Sequence, residues 1–76
     1  MKILLFGSIK EEIGDEFIST ERSFEDKMEM RSWLESEYPF LSTKTYAVAI
    51  NRSIGNDLQP LHEDDEIALL PPFSGG

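Results

Sequence analysis

Hydrophobic side chains along the chain form short apolar runs that are separated by polar segments. Residues 2–6 and 66–70 are each almost continuously apolar, which is the pattern of strands buried on both faces. We therefore expect both strands in the middle of a sheet. Residues 17–20 form a weaker strand pattern, and residues 46–50 alternate large and small side chains in the manner of a central strand. Residues 58–61 are predicted as a short edge strand, because an edge tolerates the proline within them.

A short helix is predicted between the first two strands. Ser8 is followed three residues later by Glu11, which is the spacing of a capping box, and Ile9 and Ile13 lie four residues apart. Gly14 comes directly after them, where a glycine commonly ends a helix. These signals predict a helix of one to two turns.

A longer helix is predicted in the middle of the chain. Asp26 and Glu29 form a second capping-box pattern, although Ser23 could instead start the helix one turn earlier. Pro39 cannot continue the helix. The apolar positions are spaced i, i+3, i+4 and i+8 along one face, and they are Met30, Trp33, Leu34 and Tyr38.

The order of these elements predicts an α+β fold, a four- to five-stranded mixed sheet with one main helix packed across a face. The helix is expected to pack against the core-facing strand residues, namely Ile3, Leu5, Val48, Ile50, Ile67 and Leu69. Residues 1–70 then form a single domain. Residues 71–76 are expected to be a flexible C-terminal tail, since two prolines end the last strand.

Size and charge narrow the classes of function. A chain of 76 residues buries only roughly 60% of the surface that its unfolded form exposes, which favours a carrier or binding module over a free-standing enzyme. Asp and Glu number 15 against 7 Lys and Arg, so nucleic acid is an unfavourable partner. The absence of cysteine removes thiolate nucleophiles and nearly all zinc sites. The N-terminal apolar run is too short for a signal peptide or a membrane span, so we expect a cytoplasmic protein with no membrane partner.

The histidine and the serines carry no recognisable catalytic site. His62 precedes the acidic residues 63–66, but no second histidine or cysteine supports a metal site, so we interpret the segment as a solvated turn. Ser19, Ser23 and Ser53 lack the sequence context of an activated nucleophile. No glycine-rich phosphate loop is present, and no bound cofactor is expected.

The ending of the chain is the feature that indicates chemistry, and it reads Pro71, Pro72, Phe73, Ser74, Gly75 and Gly76. Two prolines favour a semi-rigid exit from the sheet, and the tail spans about 20 Å when it is extended. Glycines lack a β-carbon, so they pass through a narrow channel. Such a tail suits presentation of the Gly76 carboxylate inside another protein's active site. ATP converts a carboxylate of this kind into an acyl-adenylate, which an amine, an alcohol or a sulfur donor can attack.

Both ends of the chain resemble the small subunit of molybdopterin synthase, which represents the MoaD-type sulfur-carrier family. The resemblance covers a little over half the chain, and it rests on residues 2–11, 14, 47–51, 60–61 and, most closely, 65–76. Residues 15–44 agree in spacing more than in identity. Leu69 and Leu70 stand where some members have paired aromatic residues, and Phe73 stands where a smaller aliphatic residue is common.

The resemblance implies a ubiquitin-like β-grasp fold. It implies that a ubiquitin-activating-type adenylyltransferase uses ATP to adenylate Gly76, and that a sulfurtransferase supplies the sulfur of a C-terminal thiocarboxylate. It also implies that residues 71–76 insert into the molybdopterin synthase large subunit, which holds the catalytic pocket. There the sulfur passes to cyclic pyranopterin monophosphate and builds the dithiolene of molybdopterin. The resemblance further implies a heterotetramer of two small and two large subunits.

Related carriers share the Gly-Gly ending. Sulfur carriers for thiazole synthesis or for tRNA thiolation are one alternative, and ubiquitin-like modifiers that are joined to lysines are another. Two positions for Phe73 also remain open: it either folds back on Leu70 or fills an apolar pocket at the mouth of the large subunit's channel.

Overall fold

The computed structural model describes residues 1–71. Its elements, in chain order, are strand β1 (Lys2–Leu5), helix α1 (Gly7–Ile13), strand β2 (Phe17–Ser19), helix α2 (Lys27–Glu37), a 3-10 helix (Pro39–Thr43), strand β3 (Ala47–Ile50) and strand β4 (Ile67–Leu70). Neither α-helix in this part of the chain has the length and apolar character to cross a lipid bilayer.

The strands form one mixed sheet in the order β2, β1, β4, β3. The two continuously apolar strands, β1 and β4, lie in the middle and pair in parallel, with Ile3 opposite Ile67. The expectation for these two strands is therefore confirmed. The interpretation of residues 46–50 as a central strand is wrong, because β3 pairs only with β4 within the described residues. The alternation of large and small side chains in β3 corresponds instead to the two faces of the sheet. Val48 and Ile50 are fully buried on the core side, and the smaller alanines lie on the opposite face.

The predicted edge strand at residues 58–61 is also wrong. Within residues 1–71 this segment makes only an isolated bridge between Asp26 and Pro60. Carbonyl groups in and just before this segment instead accept hydrogen bonds from the start of α2. Lys27 N donates to Gln59 O at 3.0 Å, and Met28 N donates to Asp57 O at 2.8 Å. The first amides of a helix lack partners within the helix, so the loop satisfies them and does not extend the sheet.

Helix α2 begins where the second capping pattern predicts. Asp26 is its N-cap, and its Oδ1 accepts a hydrogen bond from Glu29 N at 2.9 Å. This contact decides between the two possible starts in favour of Asp26. The helix ends at Glu37, and Pro39 opens the 3-10 helix that follows.

Helix α1 is confirmed, but its predicted capping box is wrong. The helix begins at Gly7, one residue before Ser8, so the N-cap is Phe6, which makes no capping hydrogen bond. Its other end agrees with the prediction, because Gly14 adopts the left-handed conformation with φ 82°.

The predicted core is confirmed. Met30 and Leu34 are fully buried, and Trp33 and Tyr38 are partly buried against the same cluster. The core-facing strand residues are each 0–3% exposed, and they are Ile3, Leu5, Val48, Ile50, Ile67 and Leu69. Helix α2 therefore covers one face of the sheet.

A tight turn follows β3. Asn51 and Arg52 both have positive φ, 51° and 68°, and Ile50 and Ser53 exchange backbone hydrogen bonds around them. This is the arrangement of a type I′ turn, which favours Asn followed by Gly. The Asn51 side chain also bonds to the turn before β4: its Oδ1 accepts from Glu66 N, and its Nδ2 donates to Asp65 Oδ1, each at 2.9 Å. The asparagine that ends the strand therefore ties β3 to β4.

We predict that Leu34→Ala lowers the free energy of unfolding by about 2–5 kcal/mol, because it leaves a cavity under the sheet. A domain of this size has a total stability of only about 5–15 kcal/mol. Urea denaturation followed by circular dichroism measures the change, with Ser36→Ala on the exposed face of α2 as the control. A loss below about 0.5 kcal/mol would contradict the assigned helix face.

We predict that Arg52→Gly raises the free energy of unfolding by about 0.5–1 kcal/mol, because a β-carbon is strained at this positive φ. The ion pair that is lost, Arg52 to Glu66, is highly exposed and contributes little. Arg52→Ala is the matched control: it removes the same charge but keeps the β-carbon. Equal stabilities of the two variants in thermal and urea unfolding would show that the turn is not strained.

Candidate partner-binding surface

Pro71, which directly follows β4, lies beside the first residue of α1. Leu5 pairs with Leu69 in the parallel register, so Gly7 comes to lie next to Pro71. Gly7 has φ 57°, and a β-carbon on it would lie 2.6 Å from Pro71 Cγ. Only a glycine allows this close approach. The start of the tail is therefore held against the body of the domain.

The predicted site residues divide into two groups. Pro71 is described and is half-buried. The others lie outside the described residues, and they are Pro72, Phe73, Ser74, Gly75 and Gly76. The two positions that were open for Phe73 are therefore not tested, and neither is the assignment of Gly76 as the reacting residue. What the structure does describe is the surface from which the tail emerges.

The face of the sheet opposite α2 is apolar and partly exposed. Leu4 pairs with Phe17 on one side and Ala68 on the other, and Ala68 pairs with Ala49. These four side chains form a row across all four strands. The Phe17 end of the row is covered by the Lys2 ammonium, 4.1 Å from the ring centroid.

The other end of this face forms an open groove with a volume of about 450 Å³. Two alanines and five larger residues line it. Its lining residues are Phe6, Ala49, Arg52, Ile54, Glu66, Ala68 and Leu70. Leu70 directly precedes Pro71, so the groove adjoins the point where the tail leaves the sheet.

Two residues of the groove occupy positions where another residue type would stabilise the fold. Phe6 is 44% exposed at a helix N-cap, where Ser, Asp or Asn is preferred. Arg52 has a left-handed backbone that favours glycine. Departures from local rules are expected where a side chain serves an interaction instead of the fold. Both side chains therefore mark the groove as a candidate partner-binding surface.

Charged groups border the groove on one side. Arg52 Nε lies 3.5 Å from Glu66 Oε1.

The backbone N–H of His62, and then the side chain of Asn51, hold the pKa of Asp65 below its usual value. The lowered pKa means that the folded state favours the ionised carboxylate of Asp65. The hydrogen bonds to this carboxylate therefore stabilise the fold at pH values above the usual pKa of an aspartate. This stabilisation is lost as the pH falls through the lowered value.

The segment around His62 is a turn, as predicted. His62 is exposed, its backbone N–H donates to Asp65 Oδ2 at 2.8 Å, and its carbonyl accepts from Asp65 N at 3.0 Å. In the described part of the chain, no group of three or more potential ligands is arranged to hold a metal ion.

The groove was not predicted from the sequence. The sequence predicts two continuously apolar strands and a single long helix to cover them. One helix covers one face, so the second apolar face has to remain open or be covered by another molecule. The sequence therefore indicates an open apolar face, because it predicts two apolar sheet faces and only one long helix. The particular lining residues depend on register and on the loop after β3, which the pattern does not specify.

The chain is similar to known proteins in both sequence and fold. The model of the ThiS family matches residues 3–76. The molybdopterin synthase sulfur carrier subunit of Dictyostelium discoideum is 33% identical over 82 residues, which cover 99% of this chain and 94% of that protein. A solved complex of subunits 1 and 2 of the molybdopterin-converting factor from Helicobacter pylori 26695 contains a chain with 32% identity and a TM-score of 0.62. That match covers 99% of this chain and 96% of the other.

The structure of SAMP1 from Haloferax volcanii has a TM-score of 0.77 at 22% identity, covering 99% of this chain and 97% of that one. At this identity the likeness shows the fold alone, and it confirms the predicted ubiquitin-like β-grasp. The family resemblance that was read from the two ends of the sequence is likewise confirmed by the family model and the relatives. The chain belongs to the ThiS family.

Proposed function

We propose that this protein is the sulfur-carrier small subunit of molybdopterin synthase, and that its reacting group is the C-terminal carboxylate of Gly76. The observation that carries the proposal is the apolar groove on the open face of the sheet, which adjoins the exit of the tail at Pro71. The relatives support it, because one is named a molybdopterin synthase sulfur carrier subunit and its match extends over almost the whole chain.

The chemistry follows from the low reactivity of a carboxylate. In the activating partner, a ubiquitin-activating-type adenylyltransferase, a carboxylate oxygen of Gly76 attacks the α-phosphate of ATP and pyrophosphate leaves. Sulfur that a sulfurtransferase supplies at the oxidation level of sulfide then attacks the acyl carbon; a C–S bond forms, the bond to the AMP oxygen breaks, and AMP leaves a thiocarboxylate on Gly76. In molybdopterin synthase each carrier transfers its one sulfur atom to cyclic pyranopterin monophosphate and water restores the Gly76 carboxylate, so two such transfers build the dithiolene. The small subunit supplies the sulfur atom, and the catalytic pocket belongs to the large subunit.

The groove suits the large subunit as its occupant. The Helicobacter pylori structure is a complex of two subunits, and one of its chains is similar to this protein. A partner seated against Phe6, Ala68 and Leu70 would lie directly beside Pro71, so docking and tail insertion would occur together. We infer that residues 71–76 enter the partner and that Phe73 contacts it at the mouth of the channel. We further propose a cytoplasmic heterotetramer of two small and two large subunits.

We predict that deleting Gly76, or adding one residue after it, abolishes adenylation and sulfur loading, because the reacting carbon is the terminal one. The melting temperature should be unchanged, since the buried core of the described residues is formed by side chains between Ile3 and Leu69. Intact mass after incubation with the activating enzyme, ATP and sulfide measures loading. Ser74→Ala, which keeps the terminal residue, is the control. Sulfur loading of the truncated protein would overturn the carboxylate assignment. Cellular conjugates to lysine without a thiocarboxylate would favour a protein modifier.

We predict that Phe6→Asp weakens binding to the large subunit by roughly thirtyfold, as expected for the loss of an aromatic anchor. The melting temperature should be retained or raised, because aspartate is a favourable N-cap for α1. Leu58→Asp is the matched control, since Leu58 is 67% exposed but does not line the groove. Titration calorimetry measures both affinities. Equal effects of the two substitutions would argue against the groove as the docking surface.

A further inference from the structure

Lys27 is buried although its side chain carries a charge. Only 3% of the residue is exposed, and within residues 1–71 it is the one charged or polar residue that is buried. Burial lowers the pKa of its ammonium group, whereas the nearby Asp57 carboxylate raises it, and Arg31 lowers it further. A lysine is rarely buried to this extent unless its charge has a specific partner.

The ammonium group binds a backbone carbonyl on a distant part of the chain. Lys27 Nζ donates to Ile54 O at 2.6 Å. Within the described residues, Ile54 makes no other hydrogen bond. The Ile54 side chain is 47% exposed and lines the groove. The contact therefore connects the buried start of α2 to one wall of the groove.

The two ends of the loop formed by residues 54–59 are held differently. The end near Gln59 is bound by the backbone amides of Lys27 and Met28, which any residue at those positions would supply. The end at Ile54 is bound by the Lys27 side chain. A change of side chain at position 27 is therefore expected to release Ile54 and to leave the rest of the loop attached to α2.

We propose that Lys27 is a positioning residue for partner binding: its buried ammonium group holds Ile54 O and thereby fixes one wall of the groove. The proposal rests on the proposed function, in which the groove receives the large subunit. Lys27 is too deeply buried to contact a partner itself. Its effect on affinity passes through the position of Ile54.

Lys27→Met separates this role from a general contribution to stability. Methionine has a similar length and no charge, so it removes the donor without leaving a large cavity. Burying a charge costs free energy, so the loss of the Lys27 charge offsets part of the lost hydrogen bond. Because Ile54 is 47% exposed, we expect its freed carbonyl to bind water instead. The fold should therefore be retained while the wall of the groove loses its support.

The first test uses the free protein. In Lys27→Met we expect a shift of the Ile54 carbonyl carbon resonance and faster exchange between conformations at residues 54–55. The Met28 amide, which donates to Asp57 O, should stay protected from hydrogen exchange. Lys44→Met removes one charge from a surface ion pair with Glu12 and is the control. An unchanged Ile54 resonance would overturn the proposal, and so would equal loss of protection along the whole loop.

The second test measures binding to the large subunit in a double-mutant cycle with Ile54→Ala. We expect Lys27→Met to weaken binding roughly tenfold in the wild-type background and to have little further effect once the Ile54 side chain is absent. An equal effect in both backgrounds would overturn the proposal, as would unchanged affinity of Lys27→Met when Phe6→Asp binds weakly. If Phe6→Asp also binds with unchanged affinity, the assignment of the groove as the docking surface is wrong. The Ile54 resonance of the free protein then still shows whether Lys27 holds Ile54 O.

Discussion

The parallel pairing of β1 with β4 is the interaction on which the rest of the molecule depends. It joins the two ends of the chain at the centre of the sheet, with Ile3 opposite Ile67 and Leu5 opposite Leu69. Strand β2 pairs with β1, and strand β3 pairs with β4, both in antiparallel orientation. The same register places Gly7 against Pro71, so the position of Pro71 follows from the pairing that forms the core.

The small size of the domain explains why one sheet face remains apolar and open. Helix α2 covers the face that contains Val48, Ile50 and the central strand residues, and residues 1–71 contain no second long helix for the other face. Exposed apolar surface costs free energy in water, so such a surface is expected where another molecule covers it during function. Phe6 and Arg52 fit this interpretation, because each occupies a position that another residue type would stabilise.

The sequence predicted those features that depend on neighbouring residues. The Asp26 N-cap, the helix face of Met30 and Leu34, and the glycine at the end of α1 each depend on contacts within one or two turns. The Ser8 capping box is wrong because α1 begins one residue earlier, at Gly7, so the N-cap is Phe6, which also lines the groove. The edge strand at 58–61 failed because distant amides at the start of α2 bind that segment. The Lys27 contact spans 27 positions in sequence, so no local pattern contains it.

The close approach of Gly7 to Pro71 has a consequence for the proposed delivery of sulfur. Pro71 packs against the first residue of α1, so the proposed insertion into a partner starts from a fixed point beside the groove. Five residues span at most about 18 Å when they are fully extended. The proposal therefore requires every enzyme that reacts with Gly76 to place its reactive centre within about 18 Å of Pro71 while it is docked.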